Sequence, residues 1–103
     1  MKIDGFEWDE ANIVKNIIGH NTYPDEIEEA FYNKYKLRKT EQGRYLLYGI
    51  TDTGRYLFIV FMIKKNKGES IARVISAREM TQKEKRYYKQ KWWAYEKNYK
   101  KDF

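Results

Sequence analysis

The fold is decided by residues 45–63, which read YLLYGI-TDTG-RYLFIVFMI. Two apolar runs, rich in residues that favour strands, flank a four-residue connection that contains Asp52 and Gly54. Two such runs joined by a short Asp/Gly turn predict an antiparallel hairpin. The second run is apolar on both faces, so we expect a central strand that is covered on both sides.

The flanking segments extend this sheet. Residues 69–77 read ESIARVISA and predict a third strong strand, after a turn at residues 64–68. Residues 35–40 alternate weakly and predict an edge strand, with lysines guarding the edge. The sequence therefore predicts a small antiparallel sheet of about four strands.

Two helices are predicted before the strands. Asp9 is a good N-cap for a helix over residues 9–19, and Gly19 offers a left-handed stop. A second short helix begins near Pro24, because proline tolerates the first helical turn. The apolar side chains of the first helix recur at helical spacing and predict one buried face. They are Ala11, Val14, Ile17 and Ile18.

The C-terminal segment predicts a third helix. Residues 81–84 read TQKE, a capping box in which Thr81 and Glu84 satisfy each other's backbone amides. We expect this helix to run to about residue 98. The predicted fold class is α+β, a small antiparallel β-sheet of about four strands with two N-terminal helices and one long C-terminal helix. We expect a single domain over residues 1–103, in which residues 89–103 form a helical extension.

Composition narrows the function classes. The chain has 103 residues, 1 His and no Cys, which excludes a disulfide framework, a thiol nucleophile and a Cys-ligated zinc site. The sequence has no Gly-rich phosphate loop, metal motif or serine nucleophile elbow, so we expect no cofactor and no metal. It also has no apolar run of membrane-span length and no apolar signal-peptide core. We therefore expect a cytoplasmic globular protein with no membrane contact.

The charges are unevenly distributed along the chain. The net charge is −6 over residues 1–31, +4 over residues 32–63 and +8 over residues 64–103. An acidic N-terminal segment and a basic remainder of the chain indicate a bipolar surface, one side of which suits a polyanion. The alternative is a solvated, Lys-rich surface that binds nothing.

Side chains suited to RNA chemistry cluster around the third strand. Arg73 lies on this predicted strand and Arg78 at its end, and the planar guanidinium fork matches a phosphate group. Tyrosines offer stacking surfaces for unpaired bases. RNA carries its own nucleophile, the 2′-hydroxyl, so the protein has to align it, stabilise the phosphorane charge and move protons.

Several motifs resemble those of a known family. They are Phe6-x-Trp8-Asp9, Asn16, His20, Ala30-Phe31, Gly49-x-Thr51-x-x-Gly54-Arg55 and, most specifically, Arg73-x-Ile75-Ser76-Ala77-Arg78-Glu79-x-Thr81-x-x-Glu84-x-x-x-Tyr88. This pattern resembles the BrnT family of bacterial type II toxins. The resemblance implies a RelE-like fold and a ribonuclease activity that arrests translation. It also implies a cognate ribbon-helix-helix antitoxin, which neutralises the toxin and with it represses the operon.

Candidate site residues are inferred from their positions in and around this motif. The predicted catalytic residues are Arg73, Arg78, Lys83, Tyr87 and Glu79. The predicted RNA-binding residues are Arg44, Arg55, Arg86 and Tyr88. His20 has two interpretations, a proton shuttle or a structural residue that caps the last carbonyls of the first helix. The structural one is preferred, because the Arg/Lys cluster lies elsewhere in the sequence.

An aromatic stripe marks the C-terminal segment. Tyr88, Trp92, Tyr95 and Tyr99 recur at helical spacing, and Trp93 lies off the stripe. Exposed aromatic side chains within a polar rim are typical of binding surfaces. We therefore expect Trp92, Trp93, Tyr95 and Tyr99 to contact a second chain, either the antitoxin or another copy in a homodimer. The alternative is that these rings fold back over residues 35–48 and complete the core.

Three functions fit these observations. The first is a metal-independent endoribonuclease toxin of a type II toxin–antitoxin system. The second is a non-catalytic, toxin-like module that binds nucleic acid or only pairs with an antitoxin. The third is a protein–protein module built on the C-terminal aromatic helix, which the intact motif from Arg73 to Tyr88 disfavours.

Overall fold

The structure is a computed structural model that describes residues 2–90. Its elements in chain order are β1 (Gly5–Glu7), α1 (Glu10–His20), α2 (Pro24–Tyr32), β2 (Lys36–Lys39), β3 (Tyr45–Ile50), β4 (Tyr56–Asn66), β5 (Glu69–Glu79) and α3 (Gln82–Lys89). This order confirms the predicted α+β class. None of the helices described within residues 2–90 has the length and apolar character needed to cross a membrane.

The strands form one sheet in the order β1-β5-β4-β3-β2. The predicted hairpin is confirmed, since β3 and β4 pair antiparallel and Gly54 in their connection has a φ of 92°. The predicted strand count and direction are wrong, because β1 adds a fifth strand that runs parallel to β5. β1 has 3 residues, too few to show an alternation. Its partner also lies far along the chain, with Gly5 paired to Ile71.

The main core lies between α2 and one face of the sheet, which we call the helical face. Gly49 allows the close approach of α2, because a Cβ there would lie 3.0 Å from the carbonyl oxygen of Ala30. The fully or almost fully buried residues of this core come from α2 and from one face of β3, β4 and β5: Ile27, Ala30, Phe31, Leu47, Leu57, Ile59, Phe61, Ala72, Val74 and Ala77.

β4 is a central strand, as predicted, but only one of its faces is fully buried. Leu57 and Phe61 on the helical face are 0% exposed, whereas Met62 on the opposite face is 39% exposed. The expected cover on both sides is therefore complete on the helical face and only partial on the opposite face.

α1 packs against the part of the β5 edge that β1 leaves uncovered. Asn16 on this helix is 1% exposed, whereas Val14 from the predicted buried face is 48% exposed. The predicted orientation of this helix is wrong, because a strand edge presents N–H and C=O groups that polar side chains satisfy better than apolar ones.

The ends of α1 are capped. The predicted N-cap is confirmed, since the Asp9 carboxylate accepts the backbone N–H of Ala11 at 2.8 Å. The predicted stop at Gly19 is wrong by two residues, because the left-handed residue is Asn21, with a φ of 49°. Asparagine tolerates this conformation better than most residues.

α3 covers one end of the opposite face of the sheet. Its capping box is confirmed by hydrogen bonds of 3.2 and 2.8 Å between Thr81 and Glu84. Tyr88 packs with Tyr48 and Met80 in a second, smaller cluster. α3 ends at Lys89, earlier than predicted, because the backbone turns extended at Gln90. The predicted helix and extension beyond this point fall on residues 91–103, outside the described residues.

A β-bulge interrupts β5. Phe61 pairs with Val74, but the preceding residue of β4, Val60, pairs with Ser76. Ile75 is therefore an extra residue with no partner in β4. Such a bulge bends the strand and reverses the alternation of side chains beyond it.

This bulge places two predicted phosphate ligands on the same face of the sheet. In a regular strand, residues an odd number of positions apart point to opposite faces. Arg73 and Arg78 are separated in this way, yet they pair with Met62 and Phe58 of β4, which share a face. Both arginines therefore lie on the face opposite α2.

Candidate active site

The face that bears Arg73 and Arg78 is covered by α3 at one end only, and we call it the open face. Two rows of paired side chains cross it, Lys36, Tyr48, Phe58 and Arg78 in the first row and Arg38, Leu46, Val60 and Ser76 in the second. Met62 and Arg73 follow on β4 and β5. The open face thus combines cationic groups, aromatic rings and exposed apolar surface.

Arg78 is held in a fixed orientation. Its Nη1 and Nη2 donate to the two carboxylate oxygens of Glu84 at 2.7 and 2.9 Å, and Nη1 also donates to the carbonyl of Glu79 at 3.1 Å. Its guanidinium carbon lies 4.6 Å from the centre of the Phe58 ring. The hydrogen bonds between Arg78 and Glu84 raise the pKa of Arg78 and lower the pKa of Glu84. Guanidinium has five N–H groups, so further donors remain for a phosphate.

Arg73 is held by two carboxylates, one on β1 and one at the start of α1. Its Nη1 donates to Glu7 at 2.7 Å and its Nη2 to Asp9 at 3.2 Å. Lys64 also binds Glu7, at 3.0 Å, and this hydrogen bond is the main reason that the pKa of Glu7 is lowered. The partners of Arg73 and Arg78 on β4 are four residues apart, about 13 Å along a strand. The two guanidinium groups therefore flank a stretch of the open face.

Tyr87 lies at the border between α3 and the open face. The residue is 38% exposed, and its ring meets the Tyr48 ring edge-on at 4.8 Å between ring centres. Lys36 Nζ lies 4.5 Å, and Arg38 Cζ 5.8 Å, from the ring centre. Lys36 also donates to the backbone carbonyls of Tyr87 and Gln90, each at 2.5 Å. This lysine therefore fixes the end of α3 on the sheet.

Two further cations lie on α3 itself. Lys83 and Arg86 are exposed, and neither has a salt bridge within residues 2–90. Lys83 precedes Tyr87 by one helical turn, so the two side chains lie on the same side of the helix. The structure thus places Arg78, Lys83 and Tyr87 at and around α3.

Arg55 and Glu79 do not belong to this group. Arg55 donates to Glu26 at 2.7 Å, to Glu79 at 3.1 Å and to the carbonyl of Asn21 at 2.9 Å. Although burial acts to lower the pKa of Arg55, the hydrogen bonds to Glu26 and Glu79 raise it. These contacts tie α2, β5 and the end of α1 together. They give both residues a structural task away from the two arginines of the open face.

Tyr88 and Arg44 have contrasting surroundings. Tyr88, predicted to bind RNA, is 6% exposed, and its hydroxyl donates to the carbonyl of Lys34 at 2.6 Å. Burial raises the pKa of this hydroxyl, and the buried ring offers no face to a base. Arg44 is exposed just before β3, where alternation places it on the same side as Leu46, toward the open face.

His20 does not cap α1. The last carbonyls of the helix are bound by backbone amides instead, with Asn21 donating to Ile17 and Thr22 donating to Asn16, each at 3.0 Å. The predicted capping role is therefore wrong. The exposed ring stands at the end of α1, next to the residue whose carbonyl binds Arg55.

Three residues of the site were missed by sequence reasoning, and Glu84 is the most important. It was interpreted only as part of a helix cap, because a motif that contains both Glu84 and Arg78 does not show that their side chains pair across the strand–helix junction. Lys36 was interpreted as a guard of an edge strand, and Arg38 on the same strand was not named as a site residue. Their alternation with Leu37 is the signal that they share one face. The predicted partner-binding residues Trp92, Trp93, Tyr95 and Tyr99 lie outside the described residues.

The chemistry of the open face is that of phosphate recognition. Arginines neutralise phosphate charge, aromatic rings stack on bases, and lysine and tyrosine exchange protons. In the part of the chain that the structure describes, no three His, Cys, Asp or Glu side chains are grouped so as to hold a metal ion.

The fold and the open face define a small α+β protein with a basic, aromatic surface suited to single-stranded nucleic acid. Residues 8–84 match the family described as "Ribonuclease toxin, BrnT, of type II toxin-antitoxin system". The chain belongs to the BrnT family and is a ribonuclease toxin of this type. A crystal structure of the ribonuclease toxin BrnT from Brucella abortus has a similar fold, with a TM-score of 0.60 and 24% sequence identity over 79% of this chain and 100% of that chain. No curated protein matches the chain significantly in sequence.

Proposed function

We propose that this ribonuclease toxin binds and cleaves RNA on the open face, where Arg73 and Arg78 stabilise the reacting phosphate. The observation that carries the proposal is the bulge at Ile75, which brings both arginines to one face. Tyr87 and exposed cations border the same surface. A guanidinium group that is already oriented by a carboxylate loses little freedom when it binds a phosphate.

The proposed reaction uses the 2′-hydroxyl of the RNA as its nucleophile. The 2′-oxygen forms a bond to phosphorus while the bond from phosphorus to the 5′-oxygen breaks, leaving a 2′,3′-cyclic phosphate and a 5′-hydroxyl. One proton leaves the 2′-hydroxyl and one reaches the 5′-oxygen. Lys83 and Tyr87 are the proposed proton carriers, because both project from α3 beside Arg78. The arginines stabilise the negative charge of the phosphorane.

Cleavage of a short single-stranded RNA by purified Arg73→Ala and Arg78→Ala variants tests this proposal. Removing a charge that acts in the transition state lowers the rate about 10²–10³-fold. Lys67→Asn is a matched control, since it removes one positive charge at an exposed turn residue whose φ of 53° asparagine accepts. Folded arginine variants that cleave at the wild-type rate would refute the proposal. Wild-type protein that binds RNA without cleaving it would favour the non-catalytic alternative.

As a type II toxin, the protein has an antitoxin partner. We propose, from the family resemblance, that this antitoxin contains a ribbon-helix-helix part and that the pair acts in the cytoplasm, where RNA is translated. Co-purification with the product of a neighbouring gene tests the partner. Size-exclusion chromatography with light scattering of the toxin alone tests the homodimer.

A further inference from the structure

α1 binds the bulged segment of β5 with three polar side chains. Each contact reaches a backbone group that points away from β4 and that β1 does not cover. Asn12 Nδ2 donates to the carbonyl of Val74 at 3.4 Å, and Lys15 Nζ donates to the carbonyl of Ile75 at 3.2 Å. Asn16 Oδ1 accepts the backbone N–H of Ala77 at 3.2 Å.

Asn16 is the buried member of this set. Its side chain is 1% exposed, and its Nδ2 has no hydrogen-bond partner among the described residues. Leaving a buried amide group without a hydrogen-bond partner destabilises the folded protein. An apolar residue would avoid this cost if the helix served packing alone. The hydrogen bond that Asn16 does make is to the amide of Ala77, the residue immediately before Arg78.

The position of the bulge decides which way Arg78 points. With the extra residue at Ile75, Arg78 shares the open face with Arg73. If the extra residue lay beyond Arg78, regular alternation would place Arg78 on the same face as Val74, which is buried in the core. The two registers use the same strands, so something must hold the bulge in place.

We propose that α1 holds this bulge in its position on β5, and that Asn16 is a positioning residue that acts through Arg78. Asn16 fixes Ala77, and the fixed strand then aims the guanidinium group at the open face. Asn12 holds the carbonyl of Val74, just before the bulge, and Lys15 holds the carbonyl of the bulged residue Ile75. This inference rests on the proposed role of Arg78 and deepens it by naming what holds the arginine in register.

The test compares Asn16→Leu, which keeps the size but loses the acceptor, with Asn16→Thr, which keeps an oxygen acceptor and, like asparagine, carries no charge. Misplacement of Arg78 lowers kcat of Asn16→Leu about 10–100-fold, with little change in KM, because the other cations of the open face still bind RNA. Asn16→Thr retains more of the activity than Asn16→Leu. Amide hydrogen exchange at Ala77 speeds up more in the leucine variant than in the threonine variant.

Lys15→Met provides a second variant at an exposed position, where folding is not at risk. We expect a smaller loss of kcat, which Lys15→Arg restores. Wild-type kcat in both Asn16→Leu and Lys15→Met would overturn the inference.

A double-mutant cycle separates positioning from a general loss of structure. If Asn16 acts through Arg78, adding Asn16→Leu to Arg78→Ala causes no further loss of kcat. Additive losses would overturn the inference while leaving the proposed role of Arg78 intact. Wild-type cleavage by Arg78→Ala alone would instead refute the proposed function.

Discussion

Arg78 and Glu84 form a bidentate ion pair across the junction of β5 and α3, in which Nη1 and Nη2 lie 2.7 and 2.9 Å from the two carboxylate oxygens. Glu84 Oε1 also accepts the backbone N–H of Thr81 at 2.8 Å. One carboxylate therefore starts the helix and orients the arginine. Because the helix carries Lys83 and Tyr87, this pair sets the position of three candidate site residues relative to one another.

The Glu84→Gln variant separates the charge from the cap. The side-chain oxygen of glutamine still accepts the backbone N–H of Thr81 at the helix start, but the ion pair with Arg78 is lost. A partly buried, charge-assisted pair contributes about 1 kcal/mol, so we expect a fall in Tm of about 4–8 °C at neutral pH. Since the Arg78 guanidinium holds the pKa of Glu84 below its ordinary value of 4.5, this stabilisation is present at and above that pH. It is lost as the pH falls through the lowered pKa.

Thermal unfolding of both proteins between pH 7 and pH 3 checks this expectation. The difference in Tm should be largest at neutral pH and should shrink in acid. Glu69→Gln is the control, because Glu69 is exposed and has no salt bridge within the described residues. A difference that stays constant with pH would contradict the assignment of the effect to the charge of Glu84.

Arg55→Ala should damage stability and leave cleavage by the folded protein unchanged. The substitution leaves Glu26, whose side chain is 20% exposed, without its ion-pair partner, at a cost of about 2 kcal/mol. Urea unfolding measures the loss, and cleavage is then assayed at a temperature where the variant is folded. The exposed Arg44→Ala variant is the stability control, with an expected change within about 0.5 kcal/mol. If folded Arg55→Ala lost RNA binding, the original prediction for Arg55 would be restored.

The parts of the fold that the sequence predicts are those with local causes. The hairpin follows from its own turn, and α3 from its own capping box. β1 could not be recognised, because three residues gain their structure from a partner on β5. α1 was oriented wrongly for a related reason. Its helical spacing is a local property, but its packing partner is a strand edge that needs polar side chains.

The site was predicted in composition but not in arrangement. Arg73 and Arg78 were named from the motif, yet their common face depends on the bulge at Ile75, a property of two strands in register. Arg55 and Glu79 were named by the same reasoning, but in the structure Arg55 binds both Glu79 and Glu26, the latter on α2. Long-range ion pairs of this kind have no signature in a single sequence.

Proton transfer should depend on α3 rather than on α1. Lys83→Met or Tyr87→Phe should lower kcat about 10²–10⁴-fold, whereas His20→Gln should leave kcat almost unchanged. Tyr32→Phe is a matched control, since Tyr32 is 76% exposed and lies on α2. Single-turnover cleavage across a range of pH measures these effects. Loss of activity in His20→Gln with full activity in both α3 variants would reverse the ranking.

Cleavage should not require a divalent metal ion. The proposed nucleophile belongs to the RNA, and the proposed charge stabilisation comes from arginine side chains. We therefore expect the same rate after dialysis against EDTA, with products that end in a 2′,3′-cyclic phosphate. Loss of activity in EDTA, restored by added Mg²⁺ or Mn²⁺, would contradict the metal-independent mechanism.

Removal of the C-terminal segment after Gln90 should abolish association and preserve the fold. The family match ends at residue 84, before all four residues of the aromatic stripe. The described residues already bury Tyr88 and fix the end of α3 through Lys36. The truncated protein should therefore unfold cooperatively and cleave RNA, but it should no longer bind its antitoxin or a second copy. The exposed aromatic variant Tyr23→Ala, at the start of α2, is the control for general loss of aromatic surface. If truncation instead unfolds the protein, these rings complete the core, and the segment is part of the domain rather than an interface.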